Sequence, residues 1–97
     1  MTAPRSAVTL DTLLVRSEEV LFQEVGGEAV LLDLASEQYF GLDPVGTRIW
    51  ELIDASTPLR DIHARLCAEY DAEPDKIAAD LLALGQSLVD AGLANVS

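Results

Sequence analysis

The chain has 97 residues, of which 49% are hydrophobic, so it suits a single folded domain and is not an intrinsically disordered segment. No apolar run approaches the ~20 residues that a membrane-spanning helix needs. Six basic residues against seventeen acidic ones give a formal net charge of −11, which disfavours nucleic acids and anionic lipids and favours basic or neutral partners. Such a charge also serves solubility alone, and both interpretations stay open.

Residues 1–11 have no hydrophobic periodicity and predict a flexible N-terminal tail, which leaves residues 12–97 as the folded domain. Asp11 interrupts the apolar residues that follow the N-terminus, so a signal peptide is not expected. The single cysteine, Cys67, has no partner for an internal disulfide. Together these features favour a reduced, cytoplasmic location.

Three short apolar runs predict an antiparallel β-meander. The runs are Val20–Val25, Ala29–Leu34 and Gln38–Leu42, and the Gly-Gly pair at residues 26–27 permits the positive φ of a tight turn between the first two. A further short strand is expected at residues 13–15. The middle strand of a meander is paired on both sides, whereas the strand Gln38–Leu42 keeps one edge free.

Proline near the start of an apolar, helix-spaced segment predicts three helices. An Asp-Pro pair at residues 43–44 begins the first helix, which extends to about residue 54. A Thr-Pro pair at residues 57–58 begins the second, and Pro74 opens the third. The third helix is expected to end in a glycine cap followed by a leucine at residues 92–93. Strands followed by helices in one chain indicate an α+β arrangement.

His63 and Cys67 are the one pair with catalytic potential, since they lie four residues apart on the second helix and a thiol beside an imidazole can become a nucleophile. The same two positions belong to an ordinary buried face, and free cysteine is among the most buried residue types. No glycine-rich oxyanion turn or third orienting residue accompanies them, so no catalytic residue is expected. With one histidine and one cysteine no metal site is apparent, and no phosphate-binding glycine motif indicates a cofactor.

Residues 39–46, with the sequence YFGLDPVG, are followed by Ile49 and Trp50 and resemble the PqqD-like family. Its members are small RiPP recognition elements that hold the leader of a precursor peptide for modifying enzymes. The segment looks closest to stand-alone members from lasso-peptide pathways, and the resemblance extends over residues 20–93. It implies a winged-helix-like α+β fold, in which a three-stranded antiparallel β-meander is followed by three α-helices.

The resemblance also implies a function without catalysis, which is the binding of the leader region of a ribosomally made precursor peptide by β-strand addition. A lasso peptide is the expected class. The leader would then be presented to a separate partner, either a cysteine-protease-type leader peptidase or another modifying enzyme. No nucleic acid, membrane or cofactor is expected to bind, and the chain is expected to be a monomer or a homodimer.

In the family that this chain resembles, the leader lies between the free-edge strand and the third helix. Carried over by position, the strand contributes its five residues and the helix contributes the apolar stripe that faces them, with one carboxylate at its border. The expected peptide-binding residues are Gln38, Tyr39, Phe40, Gly41, Leu42, Ile77, Asp80, Leu81 and Leu84.

Two other functions remain as alternatives. A winged-helix DNA-binding regulator often recognises DNA with its third helix, but residues 71–92 contain one cation, Lys76, against five carboxylates. An acidic carrier protein needs a serine at a helix start for its phosphopantetheine arm, whereas Ser36 lies between predicted strands and Ser56 between predicted helices. The sequence favours neither alternative over leader binding.

Overall fold

The computed structural model describes residues 8–26 and 28–96, and strands followed by helices confirm the α+β, winged-helix-like arrangement. Within these two ranges no helix is long and apolar enough to cross a membrane. In chain order the elements are β1 (Leu14–Arg16), β2 (Val20–Val25), β3 (Glu28–Asp33), β4 (Gln38–Leu42), α1 (Pro44–Leu52), α2 (Leu59–Glu69), α3 (Pro74–Asp90) and β5 (Ala94–Val96).

Strands β2, β3 and β4 form the predicted antiparallel meander, in the order β2-β3-β4. Val25 pairs with Glu28 across the first turn, and Gly26 there has a φ of 62°, which glycine adopts without the strain of other residues. β3 begins and ends one residue earlier than predicted. It ends at Asp33, which pairs with Gln38 and whose carboxylate accepts hydrogen bonds from the loop that follows.

The three-stranded sheet has one face on the core and one outer face, because side chains alternate along each strand. Leu31 and Leu42 are buried on the core face. Leu21, Leu32 and Tyr39 form a row across the three strands on the outer face, where 48% of Leu21 and 73% of Tyr39 are exposed. The apolar side chains of the outer face are Leu21, Val25, Val30, Leu32 and Tyr39.

The helix starts agree with the prediction in part. The Asp43 cap of α1 is confirmed, since its Oδ1 atom accepts a hydrogen bond from the Gly46 N–H at 2.6 Å. The cap predicted for α2 is wrong, because Pro58 itself occupies the N-cap position. The Thr57 hydroxyl instead donates to Asp54 at 3.0 Å, which stabilises the loop rather than the helix.

Carbonyl groups of the segment before β1 replace the missing side-chain cap of α2. The Leu10 carbonyl accepts a hydrogen bond from the Arg60 N–H at 2.7 Å, and the Thr12 carbonyl accepts one from the Leu59 N–H at 3.0 Å. First-turn N–H groups have no partner within their own helix, so these two bonds satisfy donors that would otherwise need water.

The tail predicted at residues 1–11 lies outside the described residues up to residue 7. From Val8 onward the chain is described, and Val8 is buried against the core while its N–H donates to Gln86 Oε1 at 3.1 Å. The domain boundary at residue 12 stays a prediction.

α3 ends in the predicted glycine cap, which is confirmed. The Leu93 N–H donates to the Leu88 carbonyl at 2.9 Å and the Gly92 N–H donates to the Val89 carbonyl at 3.1 Å, with Gly92 at a φ of 77°. The chain then enters β5, which pairs with β1 in a second, two-stranded sheet. The sequence does not predict β5, because three residues are too few for a recognisable alternation.

α1 joins the sheet to the other two helices. It contacts β3, β4 and α3, and its Trp50 side chain is only 3% exposed, so this residue belongs to the core. The Arg16 guanidinium lies 5.6 Å from the centre of the Trp50 ring. Arg48 donates two hydrogen bonds of 2.9 and 2.8 Å to the Glu69 carboxylate and so ties α1 to α2.

Candidate functional site

β4 is an edge strand. Among the described residues it pairs with β3 and with no other strand. An edge strand of five residues leaves about every second backbone N–H and C=O unpaired. The site therefore offers a hydrogen-bonding edge to another extended chain.

A groove of about 540 Å³ opens beside β4. Its walls come from β4, the first turns of α1 and the middle of α3, and six of its ten lining residues have apolar side chains. A chain that added to β4 would direct every second side chain toward this groove, because side chains alternate along a strand. The lining residues are Phe40, Gly41, Leu42, Asp43, Val45, Gly46, Ile49, Asp80, Ala83 and Leu84.

Gly46 allows the first turn of α1 to approach α3. It is buried, and a Cβ atom at this position would lie 3.1 Å from Asp43 Oδ1 and 3.5 Å from a methyl carbon of Leu84. The first distance is tight for a carbon atom, so a side chain here would press on the capping carboxylate. The absence of a side chain at Gly46 thus keeps the cap and this wall of the groove in place.

Five of the nine predicted site residues come together in the groove, and two more lie farther along β4. Gln38 and Tyr39 border a separate notch of about 30 Å³ between the β3–β4 turn and the end of α3. The five predicted residues that line the groove are Phe40, Gly41, Leu42, Asp80 and Leu84.

Ile77 and Leu81, the other two predicted residues, lie in the core. Their side chains are 7% and 0% exposed and do not line the groove. Burial does not favour a direct contact with a ligand, and their part in binding stays a prediction. Leu84, one turn farther along the same apolar stripe, is half-buried and reaches the groove.

Sequence reasoning missed half of the groove lining. Val45 and Ile49 lie at i and i+4 on the apolar face of α1, and this spacing beside a free strand edge could have identified them. Ala83 has no such signal, since a small side chain on a helix is common at many kinds of position. The missed residues are Asp43, Val45, Gly46, Ile49 and Ala83.

The groove is electrically negative. Asp43 and Asp80 both line it, and none of its lining residues is basic. Lys76 lies beside it, with its Nζ atom 3.5 Å from Asp80 Oδ2 and 73% of its side chain exposed. An ion pair so open to solvent contributes little, so it leaves Asp80 available to another cation.

His63 and Cys67 do not form a base and a nucleophile. The His63 Nε2 atom lies 2.8 Å from the Pro74 carbonyl oxygen and 3.5 Å from Cys67 Sγ. A carbonyl oxygen only accepts hydrogen bonds, so Nε2 holds its proton toward Pro74 and has no lone pair with which to deprotonate the thiol. The bond joins α2 to the start of α3. Over the described part of the chain, no group of three His, Cys, Asp or Glu side chains is placed to hold a metal ion.

One protein-family profile and two solved structures match this chain. The profile of the family described as coenzyme PQQ synthesis protein D (PqqD) matches residues 28–94, which contain every residue that lines the groove. No sequence among the curated proteins compared matches this chain.

Two solved structures are similar to this chain. One, described as TbiB1 in complex with the TbiA(beta) leader peptide, is 34% identical with a TM-score of 0.73, and the match covers 81% of this chain and 92% of that one. The other, described as lasso peptide synthetase B1 complexed with the leader peptide, is 26% identical with a TM-score of 0.74 and is covered to 95%, against 84% of this chain. Because the family profile spans most of the sequence and both relatives share nearly the whole fold, this chain belongs to the PqqD family.

Proposed function

We propose that this protein binds the leader region of a ribosomally made precursor peptide, of the lasso-peptide class, and presents it to a partner enzyme without catalysing a reaction itself. The leader adds to β4 as a further strand and fills the groove with side chains. The strongest support is the free edge of β4 beside the groove, in a fold shared with two solved structures that are complexes with a leader peptide. The free thiol of Cys67 agrees with a reducing, cytoplasmic setting.

Backbone hydrogen bonds alone do not hold a disordered leader. About four of them, at roughly 0.5–1.5 kcal/mol net each, contribute a few kcal/mol. Ordering five peptide residues costs about 1–2 kcal/mol apiece, which cancels this gain. Apolar side chains buried in the groove contribute about 1.5–3 kcal/mol each and shift the balance to binding. The leader is therefore expected to contain a leucine or an aromatic residue as an anchor.

The anchor packs where β4 and the two helices meet. Leu42 and Ile49 form the buried side of the groove, and Leu84 forms the wall from α3. Ile77 and Leu81 support that wall from the core and act on the leader indirectly. Specificity for one leader then depends on the shape of the groove, since the hydrogen bonds of β4 fit any extended backbone.

The partner enzyme, a separate leader peptidase or another modifying enzyme, docks on the outer face of the sheet in this proposal. Leu21, Leu32 and Tyr39 form an apolar row there that ends at β4, so a leader strand added to β4 would extend the same face with its own outward side chains. A second copy of this chain fits the face poorly, because two chains of net charge −11 repel each other. An enzyme with basic residues around an apolar patch fits it better.

The DNA-binding alternative has no cationic surface to support it. Among the described residues, each basic side chain is held by a carboxylate or lies over an aromatic ring. Duplex affinity rests largely on Lys and Arg contacts to phosphates, and each of these cations lies beside a carboxylate or a ring in a chain whose net charge of −11 repels phosphates. The pairs are Arg48 and Arg65 with Glu69, Arg60 with Asp11, Lys76 with Asp80, and Arg16 with the ring of Trp50.

The test is an NMR titration of isotope-labelled protein with unlabelled synthetic leaders of candidate lasso precursor peptides. We expect chemical-shift changes along Gln38–Leu42 and at Ala83 and Leu84. Ala83→Phe, which fills the groove from an exposed position on α3, is expected to weaken leader binding at least tenfold. Ala79→Phe is the matched control, since Ala79 is exposed on the same helix but does not line the groove.

Three outcomes would contradict the proposal. These are no binding of the leader, shifts confined to α2 with β4 unaffected, and equal losses in the two phenylalanine variants. For the partner, Leu21→Ser on the outer face is expected to leave the leader titration unchanged and to slow leader processing by the enzyme. Unchanged processing would mean that the enzyme docks elsewhere.

A further inference from the structure

Two carboxylates from different elements stand at the same apolar groove. Asp43 precedes α1, and Asp80 lies in α3, yet both line the groove with Ile49 and Leu84. Only Oδ1 of Asp43 is engaged in its cap, by the Gly46 N–H, and Oδ2 accepts no hydrogen bond within the described residues. The cap of α1 therefore uses half of this carboxylate and leaves the other half available.

Binding of a purely apolar ligand would be unfavourable for these carboxylates. A peptide that closes the groove removes water from both side chains, and a carboxylate that loses water without gaining a partner is costly. Of the two carboxylates, only Asp80 has a basic neighbour, Lys76. Their contact is long and exposed to solvent, so it compensates little of the lost hydration. Asp43 has no basic partner among the described residues, so a basic group on the bound peptide is the partner that would compensate its charge.

We infer that the groove recognises a basic side chain of the leader in addition to its apolar anchor, with the Lys or Arg held by Asp43 and Asp80. This inference rests on the proposed function and specifies the chemistry of its ligand. Residues on one face of an extended strand are two positions apart, so the basic residue lies two positions from the anchor. The excess of acidic residues adds a second effect, because it attracts a cationic peptide before contact.

The test uses two capped synthetic peptides that differ at one position. The first has Leu and Lys two positions apart in a neutral, extended sequence, and its twin has Gln in place of Lys. Each is titrated into isotope-labelled protein at low and at high salt. We expect the Lys peptide to bind roughly tenfold more tightly than the Gln twin at low salt, to shift the amides of Asp43, Asp80 and Leu84, and to lose most of this advantage at high salt.

Protein variants separate local recognition from general attraction. The double variant Asp43→Asn with Asp80→Asn is expected to reduce the preference for the Lys peptide to the small part that the net charge alone provides, and asparagine at position 43 preserves the cap of α1. Asp71→Asn removes one charge outside the groove and is the control for each of the two single groove variants, since Asp71 is exposed in the α2–α3 loop and does not line the groove. It is expected to retain nearly the whole preference for the Lys peptide.

The inference is overturned if wild-type protein binds both peptides equally or neither, or if Asp71→Asn reduces the preference as much as the groove variants do. The natural leader gives an independent result. If the leader binds and no replacement of a leader Lys or Arg by Gln weakens its binding, this inference is overturned. The proposal that the protein binds a leader then still stands. A leader that does not bind at all overturns the proposed function instead.

Discussion

The imidazole of His63 is not oriented to deprotonate the Cys67 thiol. Its Nε2 proton is directed at the Pro74 carbonyl, so Cys67 behaves as a half-buried apolar side chain packed against the core. We predict that Cys67→Ala lowers the free energy of unfolding by about 1 kcal/mol and leaves leader binding and leader processing by the partner enzyme unchanged. A denaturant titration and a processing assay with purified components measure the two effects. Lost processing with intact fold and leader binding would show that the thiol takes part in the reaction.

The sequence predicts which strand borders the site, but it does not predict which residues of α3 reach it. The edge position of β4 could be predicted, because the last strand of a three-stranded meander has only one neighbouring strand. The residues of α3 could not be sorted, since Ile77, Leu81 and Leu84 belong to one apolar stripe. The rotation of α3 against the sheet buries the first two and exposes the third to the groove, and that rotation is set by tertiary packing.

Among the elements, α1 and α3 provide a comparison of helix starts with and without a side-chain cap. Asp43 accepts a hydrogen bond at the start of α1, whereas Glu73 at the start of α3 accepts none. We predict that Asp43→Ala lowers the free energy of unfolding by about 1 kcal/mol and that Glu73→Ala changes it by much less. Urea titrations without peptide give both values. Equal losses would mean that the Asp43 bond does not stabilise the helix.

Sequence patterns did not predict the cap of α2 or the strand β5, and both depend on backbone that is distant in the chain. α2 is capped by the carbonyls of Leu10 and Thr12, so the local Thr-Pro pair at residues 57–58 indicated the helix but not its cap. β5 forms because the glycine cap of α3 returns the chain toward β1. By contrast, the Asp43 cap, the tight turn at Gly26 and the end of α3 are local structures, and the residues responsible for them could be recognised in advance.

At the scale of the whole molecule, acidic pH should weaken the ion pair that links α1 to α2. Two hydrogen bonds from Arg48 hold the pKa of Glu69 below its ordinary value of 4.5. In the α1–α2 loop, the backbone N–H of Ser56 and the Thr57 hydroxyl likewise hold the pKa of Asp54 below 3.8. A folded-state pKa below the unfolded one gives stability that is complete above the unfolded value and is lost as the pH falls through the folded one.

We therefore predict that Glu69→Gln destabilises the protein most at neutral pH and that its difference from wild type shrinks as the pH falls below about 4.5. The reason is that protonated Glu69 in the wild type and the glutamine of the variant are both uncharged. Arg48 then gains little from its contact with either side chain. Urea titrations of both proteins between neutral and strongly acidic pH measure this difference. Glu18→Gln is the control, because Glu18 is exposed and has no ion-pair partner among the described residues, and its difference from wild type should stay small throughout. A Glu69→Gln effect that is independent of pH would mean that the Arg48 contact does not depend on the charge of the carboxylate.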